Sequence, residues 1–270
     1  MTAPAVPISQ PGIYHDLPSP AYFTDPALSA SGAKKLLPPS CPALYRWWAD
    51  NPEPPKKEFD FGHAVHGLVL GRGDPVHVID APDWKTKKAQ EDRKAAYARG
   101  DIPTLAKDWA AAKAMVAALR AHPLAGPLFE PGTGQAEVSL FWHDDEFGIA
   151  RRARLDWVKG RLLVDYKTTR SAEPDACSKA MVDYGYHGQL PWYCDAAVAC
   201  GLGEDPAPLI VWQEKTAPYL VHVTEPDPAA LAAGRDRNRR AMDVFARCTA
   251  AGRWPGWGED PLCRGPLGIT

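Results

Sequence analysis

The chain has few cysteines and lacks the spacing that thiolate metal sites need. Its 270 residues include six cysteines, none of them in a Cys-x-x-Cys pair. A zinc ribbon or compact cluster site therefore lacks its usual ligands. No apolar run is long enough to span a bilayer, and no charged-plus-apolar leader opens the sequence. We expect a cytoplasmic protein with reduced thiols and no membrane partner.

The net charge of the chain is also small, with a formal value of −2 at pH 7. This balance gives no global support for nucleic-acid binding, so only a local concentration of cations can hold a polyanion. One concentration comprises Arg151, Arg152, Arg154, Lys159, Arg161, Lys167 and Arg170. A second lies over residues 85–99, where a solvated helix face is an equally good explanation. No Walker-type Gly-Lys-Thr motif is present, so a coupled helicase would be a separate polypeptide.

The order of apolar patterns predicts a mixed α/β fold. Residues 1–25 are rich in proline and lack periodicity, which predicts an extended N-terminal arm. Residues 26–270 predict a single domain with a helical insert at about 85–120. We expect a central mixed sheet that begins with antiparallel strands and is flanked by helices. The predicted helices cover 28–37, 41–48, 59–70, 105–119, 176–181, 188–200 and 228–250, and strands outside the central hairpin cover 136–142, 209–212 and 219–223.

Residues 149–169 predict two strands joined by a two-residue turn at Lys159-Gly160. In that register Arg154 lies opposite Asp165. Because side chains alternate along a strand, the hairpin has one apolar and one charged face. The apolar face carries Leu155, Trp157, Leu162, Val164 and Tyr166. The charged face carries Arg154, Asp156, Asp165 and Lys167.

The charged face has the groups that phosphodiester hydrolysis requires. Asp156 and Asp165 would be diagonal neighbours about 7–8 Å apart. Two carboxylates at that separation can hold a hard divalent cation, and the ammonium of Lys167 can steady an anion or orient a water molecule. An isolated Asp-x-Lys in a strand is more often a solvated edge, so companion residues decide between the two interpretations.

Three sets of companion residues favour a site. His66 follows Gly62 on a predicted helix, where it is either a metal ligand or a satisfied core residue. Glu137 begins the strand before the hairpin and would supply a third carboxylate. One face of a predicted helix carries Tyr186, Gln189 and Tyr193. Either this polar face is turned toward a site, or the glutamine is buried and hydrogen-bonded to backbone groups.

The order of these motifs resembles the PD-(D/E)XK nuclease superfamily. The matching residues are Gly62-x-x-x-His66, Glu137, Asp156, Asp165-Tyr166-Lys167 and Gln189-x-x-x-Tyr193. Over most of the chain, the sequence is similar to the branch containing RecB-type nuclease domains and RecE-type exodeoxyribonuclease VIII. The narrower likeness includes Tyr14-His15, Tyr22, Leu28-Ser-Ala-Ser-Gly, the Lys-rich stretch 85–99, Glu214-Lys-Thr-Ala-Pro-Tyr219 and Trp254-Pro-Gly-Trp257.

The resemblance implies a role for each matching residue. The implied metal ligands are His66, Asp156, Asp165 and the backbone carbonyl of Tyr166, with Glu137 as a less direct one. Lys167 would position or activate the attacking water and stabilise charge on the phosphate. The other implied catalytic residues are Asp165, Asp156, Gln189 and Tyr193. The implied DNA-binding residues are Arg152, Arg154, Thr168, Tyr186, Gln189 and Tyr193.

The implied cofactor is Mg²⁺, for which Mn²⁺ can substitute. Some relatives carry an iron–sulfur cluster, but Cys41, Cys248 and Cys263 are too sparse to hold one, and we expect none.

The resemblance implies an exonuclease that degrades linear double-stranded DNA from its ends, in the 5′ to 3′ direction. It also implies a ring-like homo-oligomer and a single-strand annealing protein as partner in phage-type recombination. Two alternatives stay open, an endonuclease on the same scaffold and a catalytically inactive DNA-binding module. A non-nuclease metal hydrolase is disfavoured because the chain has no His-rich site.

Overall fold

A computed structural model describes residues 10–52 and 59–259. Within them a seven-stranded mixed sheet forms the centre of the molecule, and a small two-stranded sheet lies apart from it. The strands are β1 Gly12–Tyr14, β2 Leu28–Ser29, β3 Val76–Ile79, β4 Ile102–Leu105, β5 Gln135–Asp144, β6 Ile149–Lys159, β7 Leu162–Thr169, β8 Ala207–Glu214 and β9 Val221–Thr224. The order in the large sheet is β1-β5-β6-β7-β8-β9, and β2 pairs with β6. Only β2–β6 and β7–β8 are parallel in this sheet.

Helices cover both faces of the sheet. They are α1 Ser19–Thr24, α2 Ala30–Leu36, α3 Pro42–Asp50, α4 Asp60–Leu70, α5 Lys87–Arg99, α6 Ala106–Ala121, α7 Ala125–Leu128, α8 Pro174–Asp183, α9 Tyr186–Ala199 and α10 Pro228–Ala251. Leu163 packs with residues of α2, α9 and α10, whereas Val164 packs with residues of α4, α6 and α7. Because adjacent strand residues point to opposite faces, the two helix groups sandwich the sheet. The predicted mixed α/β fold is confirmed.

The register predicted for the central hairpin is wrong by two residues. Trp157 pairs with Val164 and Lys159 pairs with Leu162, so the turn is Gly160-Arg161. Gly160 has a φ of 57°. A two-residue turn with glycine first matches the twist of the strands, which explains why the glycine opens the turn. The shift is even, so faces are kept, and this register continued by one residue sets Asp156 opposite Asp165.

One residue departs from the predicted apolar face. Leu155 packs with Val138 in the cluster beneath α9, whereas Trp157 packs with Tyr166 in the cluster beneath α4. Regular alternation would have placed both on one side. The change of phase falls at Asp156 and, on the paired strand, at Glu137, whose φ is 54°. The carboxylates of Glu137 and Asp156 therefore project from a local irregularity rather than from a regular pleat.

Two stretches differ from the predicted organisation. Part of the predicted extended arm is structured, because β1 pairs with β5 and residues 19–24 form α1. Within the predicted helical insert, α5 and α6 are separated by β4, which pairs in parallel with β3. Residues 1–9 of the arm and 260–270 of the predicted domain, with Cys263, lie outside the described residues. The division into an arm and a single domain remains a prediction.

Helix α9 lies in close contact with α10. A Cβ added at Gly234 of α10 would lie 1.7 Å from the carbonyl oxygen of His187. Pro191 lacks the N–H that would bond that carbonyl within a regular helix. The side chain of Asn238 donates a hydrogen bond of 2.8 Å to the carbonyl of Gly188. This close approach fixes the helix that carries Gln189 and Tyr193.

Among the residues that the structure describes, no helix is both long and apolar enough to cross a membrane.

Candidate active site

Three side chains from separate elements converge at the irregularity of β5 and β6. Nε2 of His66, on α4, lies 3.2 Å from Oδ2 of Asp156. Its Nδ1 lies 3.6 Å from Oε1 of Glu137. One potential ligand atom from each residue lies within 4.8 Å of the others. We refer to His66, Glu137 and Asp156 as the donor group. One imidazole and two carboxylates suit a divalent cation such as Mn²⁺ or Mg²⁺, so the residues fit the metal that the fold implies.

Helix α4 presents His66 to the sheet. Val65 and Val69 anchor its apolar side in the core. Its first residue, Asp60, is buried and accepts hydrogen bonds from Arg93 and Tyr97 of α5. The predicted insert thus holds the N-terminal end of the helix that carries the imidazole.

A second cluster lies beside the donor group on β7 and α9. Nζ of Lys167 lies 2.7 Å from Oδ2 of Asp165. The amide of Gln189 donates to Oδ1 of Asp165 at 3.0 Å and to the hydroxyl of Tyr193 at 2.7 Å. Asp165, predicted as a metal ligand, is therefore engaged by an ammonium and an amide. The donor group contains Glu137 in its place, although Glu137 was the less direct prediction. Whether Asp165 turns to a bound cation stays a prediction.

Backbone contacts join the two clusters. The N–H of Tyr166 donates to Oδ2 of Asp156 at 2.9 Å, so the peptide after Asp165 holds the other aspartate. The metal-binding role predicted for the Tyr166 carbonyl stays a prediction.

Charge and burial shift the pKa values of the two aspartates in opposite directions. Burial opposes ionisation of Asp156, but the charges of His66 and Lys167 outweigh burial and lower its pKa. Burial raises the pKa of Asp165, with repulsion from Asp156 adding to this effect and Lys167 opposing it. Burial would lower the pKa of Lys167, but Asp165 and Asp156 raise it above the ordinary value. Lys167 is therefore a cation at neutral pH.

The remaining acid–base groups follow the same logic. Burial would lower the pKa of His66, but Asp156 and Glu137 raise it above 6.5. Burial raises the pKa of Glu137, while His66 and Arg154 oppose the shift. Two nearby carboxylates in a partly buried site repel each other, which a bound divalent cation would relieve.

A buried glutamine supports the site from behind and was missed in the sequence. Oε1 of Gln213 accepts a 2.6 Å hydrogen bond from the hydroxyl of Tyr166. Its amide donates to the carbonyl of Met115 at 2.7 Å. Tyr166, between Asp165 and Lys167, is therefore fixed at both backbone and ring. The available signal was a polar residue directly after the apolar run Leu209–Trp212 of β8.

A cleft of about 1290 Å³ is lined by the donor group together with Lys167 and Tyr193. Thr168 and Tyr186, both predicted to bind DNA, line it. The Tyr186 ring centroid lies 5.0 Å from Nζ of Lys167. A Cβ added at Gly62 would lie 3.5 Å from Oγ1 of Thr168, an ordinary van der Waals distance, so α4 packs against β7 at this position without requiring a glycine.

Arg152 and Arg154 line the cleft but bind the N-terminal segment. Arg154 donates to the carbonyl of Leu17 at 2.8 Å and to Oγ of Ser19 at 3.1 Å. Arg152 donates to the carbonyl of Tyr22. Their predicted contact with DNA thus competes with contacts inside the protein. The prediction could not include this pairing because the partners are about 130 residues away in sequence.

Lysines of the second basic stretch lie on the exposed face of α5, whereas Arg93 of the same stretch is turned inward to Asp60. Lys87 and Lys88 lie 3.8 Å and 3.9 Å from Glu91 and Asp92, one turn further along the helix. These contacts favour the solvated helix face over a nucleic-acid surface.

Comparison with known proteins identifies the family. The chain belongs to the family described as PDDEXK-like domain of unknown function, DUF3799, whose model matches residues 29–266. This match confirms the resemblance to the PD-(D/E)XK superfamily. No curated protein matches the sequence.

One solved structure agrees at the level of fold. A crystal structure from Eubacterium rectale, described as that of a candidate exonuclease, superposes with a TM-score of 0.63 at 14% identity. The match covers 94% of this chain and 95% of that chain. A second structure, SSO0001, is 14% identical over 67% of this chain and 84% of that chain, and its TM-score of 0.28 supports no argument.

Proposed function

We propose that the protein is a metal-dependent exodeoxyribonuclease that hydrolyses phosphodiester bonds from the ends of linear double-stranded DNA. The observation that carries the proposal is the donor group of His66, Glu137 and Asp156 beside the Asp165–Lys167 ion pair. Carboxylate ligands for a divalent cation beside a permanent cation are groups that hydrolysis of a phosphodiester can use. The E. rectale structure, whose name describes a candidate exonuclease, shares the fold over nearly the whole chain.

The proposed cation, Mg²⁺ or Mn²⁺, would be held by His66, Glu137 and Asp156, with Asp165 as a further ligand. When bound, such a cation polarises a phosphate oxygen and lowers the pKa of a coordinated water.

The chain itself supplies the remaining functions. Lys167 keeps its proton, so it stabilises the negative charge that develops on the phosphate as water attacks phosphorus and the 3′ oxygen departs. Gln189 fixes the carboxylate of Asp165, and Tyr193 fixes Gln189. Gln213 and the Tyr166 ring hold the strand that carries both charged residues.

End-labelled DNA tests the proposal directly. Linear duplexes labelled at the 5′ or the 3′ terminus should release label only with Mg²⁺ or Mn²⁺ present, and closed circular plasmid should stay intact. Early release of the 5′ label would support the proposed 5′ to 3′ direction. Linearised plasmid would instead support an endonuclease. Binding of DNA without any release under these conditions would support the inactive binding module.

The likeness to RecE-type enzymes supports finer proposals. A ring-like homo-oligomer would encircle the product strand and keep the enzyme on it, and a single-strand annealing protein would take over that strand in phage-type recombination. Light scattering after size-exclusion chromatography tests the first of these proposals. A monomer at micromolar concentration would remove the ring from the proposal and leave the chemistry intact.

A further inference from the structure

The rim of the catalytic cleft has an unusual concentration of exposed aromatic side chains. Phe23, Phe59 and Tyr184 are 67%, 55% and 62% exposed, and all three line the cleft. They come from three separate segments, at the end of α1, at the start of α4 and after α8. Of the other exposed aromatic residues described, Trp47 and Trp257 lie outside the cleft. Exposed aromatic rings grouped around one cleft are typical of binding surfaces.

Cations accompany the rings along one side of the cleft. Arg170 and Lys215 directly follow β7 and β8, which are parallel neighbours, so both residues lie at the same edge of the sheet. Lys179 of α8 also lines the cleft. All three are exposed, and none forms an ion pair with any residue in the described ranges. Exposed cations without acidic partners are available to phosphate groups.

The low exposure of the reactive groups restricts which DNA strands can reach them. Asp156 and Lys167 line the cleft with side chains only 14% and 21% exposed, and Asp165, ion-paired with Lys167, is 2% exposed. A phosphate must descend past the rim to reach them. An unpaired strand can do so because it bends freely, whereas a paired strand carries its stiff complement with it.

From these three observations we propose that the cleft receives an unpaired DNA strand, whose bases stack on Phe23, Phe59 and Tyr184 and whose phosphates follow Arg170, Lys179 and Lys215. Stacking on protein rings requires a free base face, which duplex interiors lack. The inference rests on the proposed function and narrows its substrate to the frayed terminus of a duplex or to a single strand.

Binding experiments in excess chelator separate this inference from the nuclease proposal, because they need no cleavage. The probes are a fluorescent 20-nucleotide single strand and a duplex of the same sequence closed at both ends by hairpins, and binding is measured by anisotropy. The single strand should bind more tightly. Equal or tighter binding of the closed duplex would overturn the inference, even if nuclease activity is present.

Single substitutions on the rim test the stacking. Phe23→Ala, Phe59→Ala and Tyr184→Ala should each weaken single-strand binding about 5-fold or more. The matched control is Trp47→Ala, which removes a 54% exposed ring outside the cleft and should leave affinity unchanged. Because all four side chains are exposed, folding is retained, and circular dichroism verifies this. Equal losses in the control and the rim variants would contradict the assignment.

Salt dependence tests the phosphate track. The slope of log affinity against log salt is negative, and it should become less steep by about 0.7 in each of Lys179→Gln and Lys215→Gln, because each variant removes one cation. Lys113→Gln, an exposed lysine of α6 outside the cleft, is the control. Unchanged slopes in both cleft variants would overturn the track. If binding behaves as expected while labelled ends are never hydrolysed, the proposed chemistry fails and the strand-binding cleft remains.

Discussion

The two aspartates of the site have opposite environments although their strands are neighbours. Asp156 faces an imidazole and accepts a backbone N–H, whereas Asp165 is deeply buried and relies on one ammonium and one amide. One carboxyl group is therefore held ionised, and the other depends on Lys167 for its charge. Loss of Lys167 would leave Asp165 without its only ion-pair partner in the described part of the chain.

Removal of either member of the ion pair should stop the reaction. Lys167→Ala removes the cation that stabilises the phosphate, and Asp165→Ala removes the group that holds this cation. We expect cleavage rates to fall by roughly 100-fold or more. Release of labelled nucleotide measures the rate, and far-ultraviolet circular dichroism verifies folding. Rates like those of the original protein in both variants would refute the site.

Glu137 combines a left-handed backbone with a partly buried charge. A non-glycine residue at a φ of 54° costs on the order of 1–2 kcal/mol. Glu137→Gly removes both strain and charge, whereas Glu137→Ala removes only the charge. The glycine variant should therefore exceed the alanine variant by about 1 kcal/mol in free energy of unfolding, measured in urea without metal. Equal values would show that the conformation carries no strain.

Individual side chains were the most predictable part of the site. Strand alternation placed Asp156, Asp165 and Lys167 on one face, and the structure keeps them there. Their side-chain contacts were less predictable, because an aspartate beside a lysine can turn either to it or to a metal ligand. Gln213 was missed since its partners, Tyr166 and Met115, come from distant elements.

At the scale of elements, the strands of the central hairpin were predictable but their register was not. Glycine can occupy either central position of a tight turn, and the position that Gly160 takes decides the pairing. Strands β1 and β2 are only three and two residues long, too short for a periodic pattern. They exist because β5 and β6 offer them edges, which is tertiary information.

Replacing Gly234, where α10 contacts α9, should have two effects of opposite sign on the free energy of unfolding. Helix propensity alone says that Gly234→Ala stabilises by about 1 kcal/mol. The added Cβ, however, would lie 1.7 Å from the carbonyl oxygen of His187, so the helices must separate. We expect a loss of roughly 1–3 kcal/mol in urea unfolding and reduced cleavage, because α9 carries Gln189. The control, Ala233→Gly at an exposed position, should cost about 1 kcal/mol without affecting cleavage.

A gain in stability for Gly234→Ala would mean that α9 and α10 are farther apart than described. The sign of the change is therefore sufficient to decide, whatever its size.

At the scale of the whole molecule, a bound cation should stabilise the fold. Glu137 and Asp156 repel each other without it, and a ligand at 100 times its dissociation constant contributes about 2.7 kcal/mol. Melting curves with Mn²⁺ or Mg²⁺ should therefore shift upward, and chelator should reverse the shift. In the doubly substituted Glu137→Gln, Asp156→Asn protein the shift should vanish. An unchanged curve for the original protein would refute a divalent site.

The effect of pH on this shift follows from the raised pKa values of His66 and Asp165. A raised folded-state pKa adds stability below the unfolded value, and this gain is lost as pH rises through the folded value. For His66 the loss begins above 6.5. The metal-free protein should therefore melt at a lower temperature at pH 8 than at pH 6. Cation binding displaces the same protons, so the metal-induced shift should be larger at pH 8. A larger shift at pH 6 would contradict these assignments.

The pairing of β1 with β5 and of β2 with β6 has a consequence for synthesis on the ribosome. Gly12 pairs with Phe141 and Leu28 with Arg151, and Leu17 and Tyr22 bind Arg154 and Arg152. More than 120 further residues must therefore be translated before these early segments meet their partners. At about 5–20 residues per second, these early segments wait roughly 6–25 seconds for their partners. During this interval the side chains of Tyr22 and Leu28, which are buried in the folded protein, lack the partners that cover them.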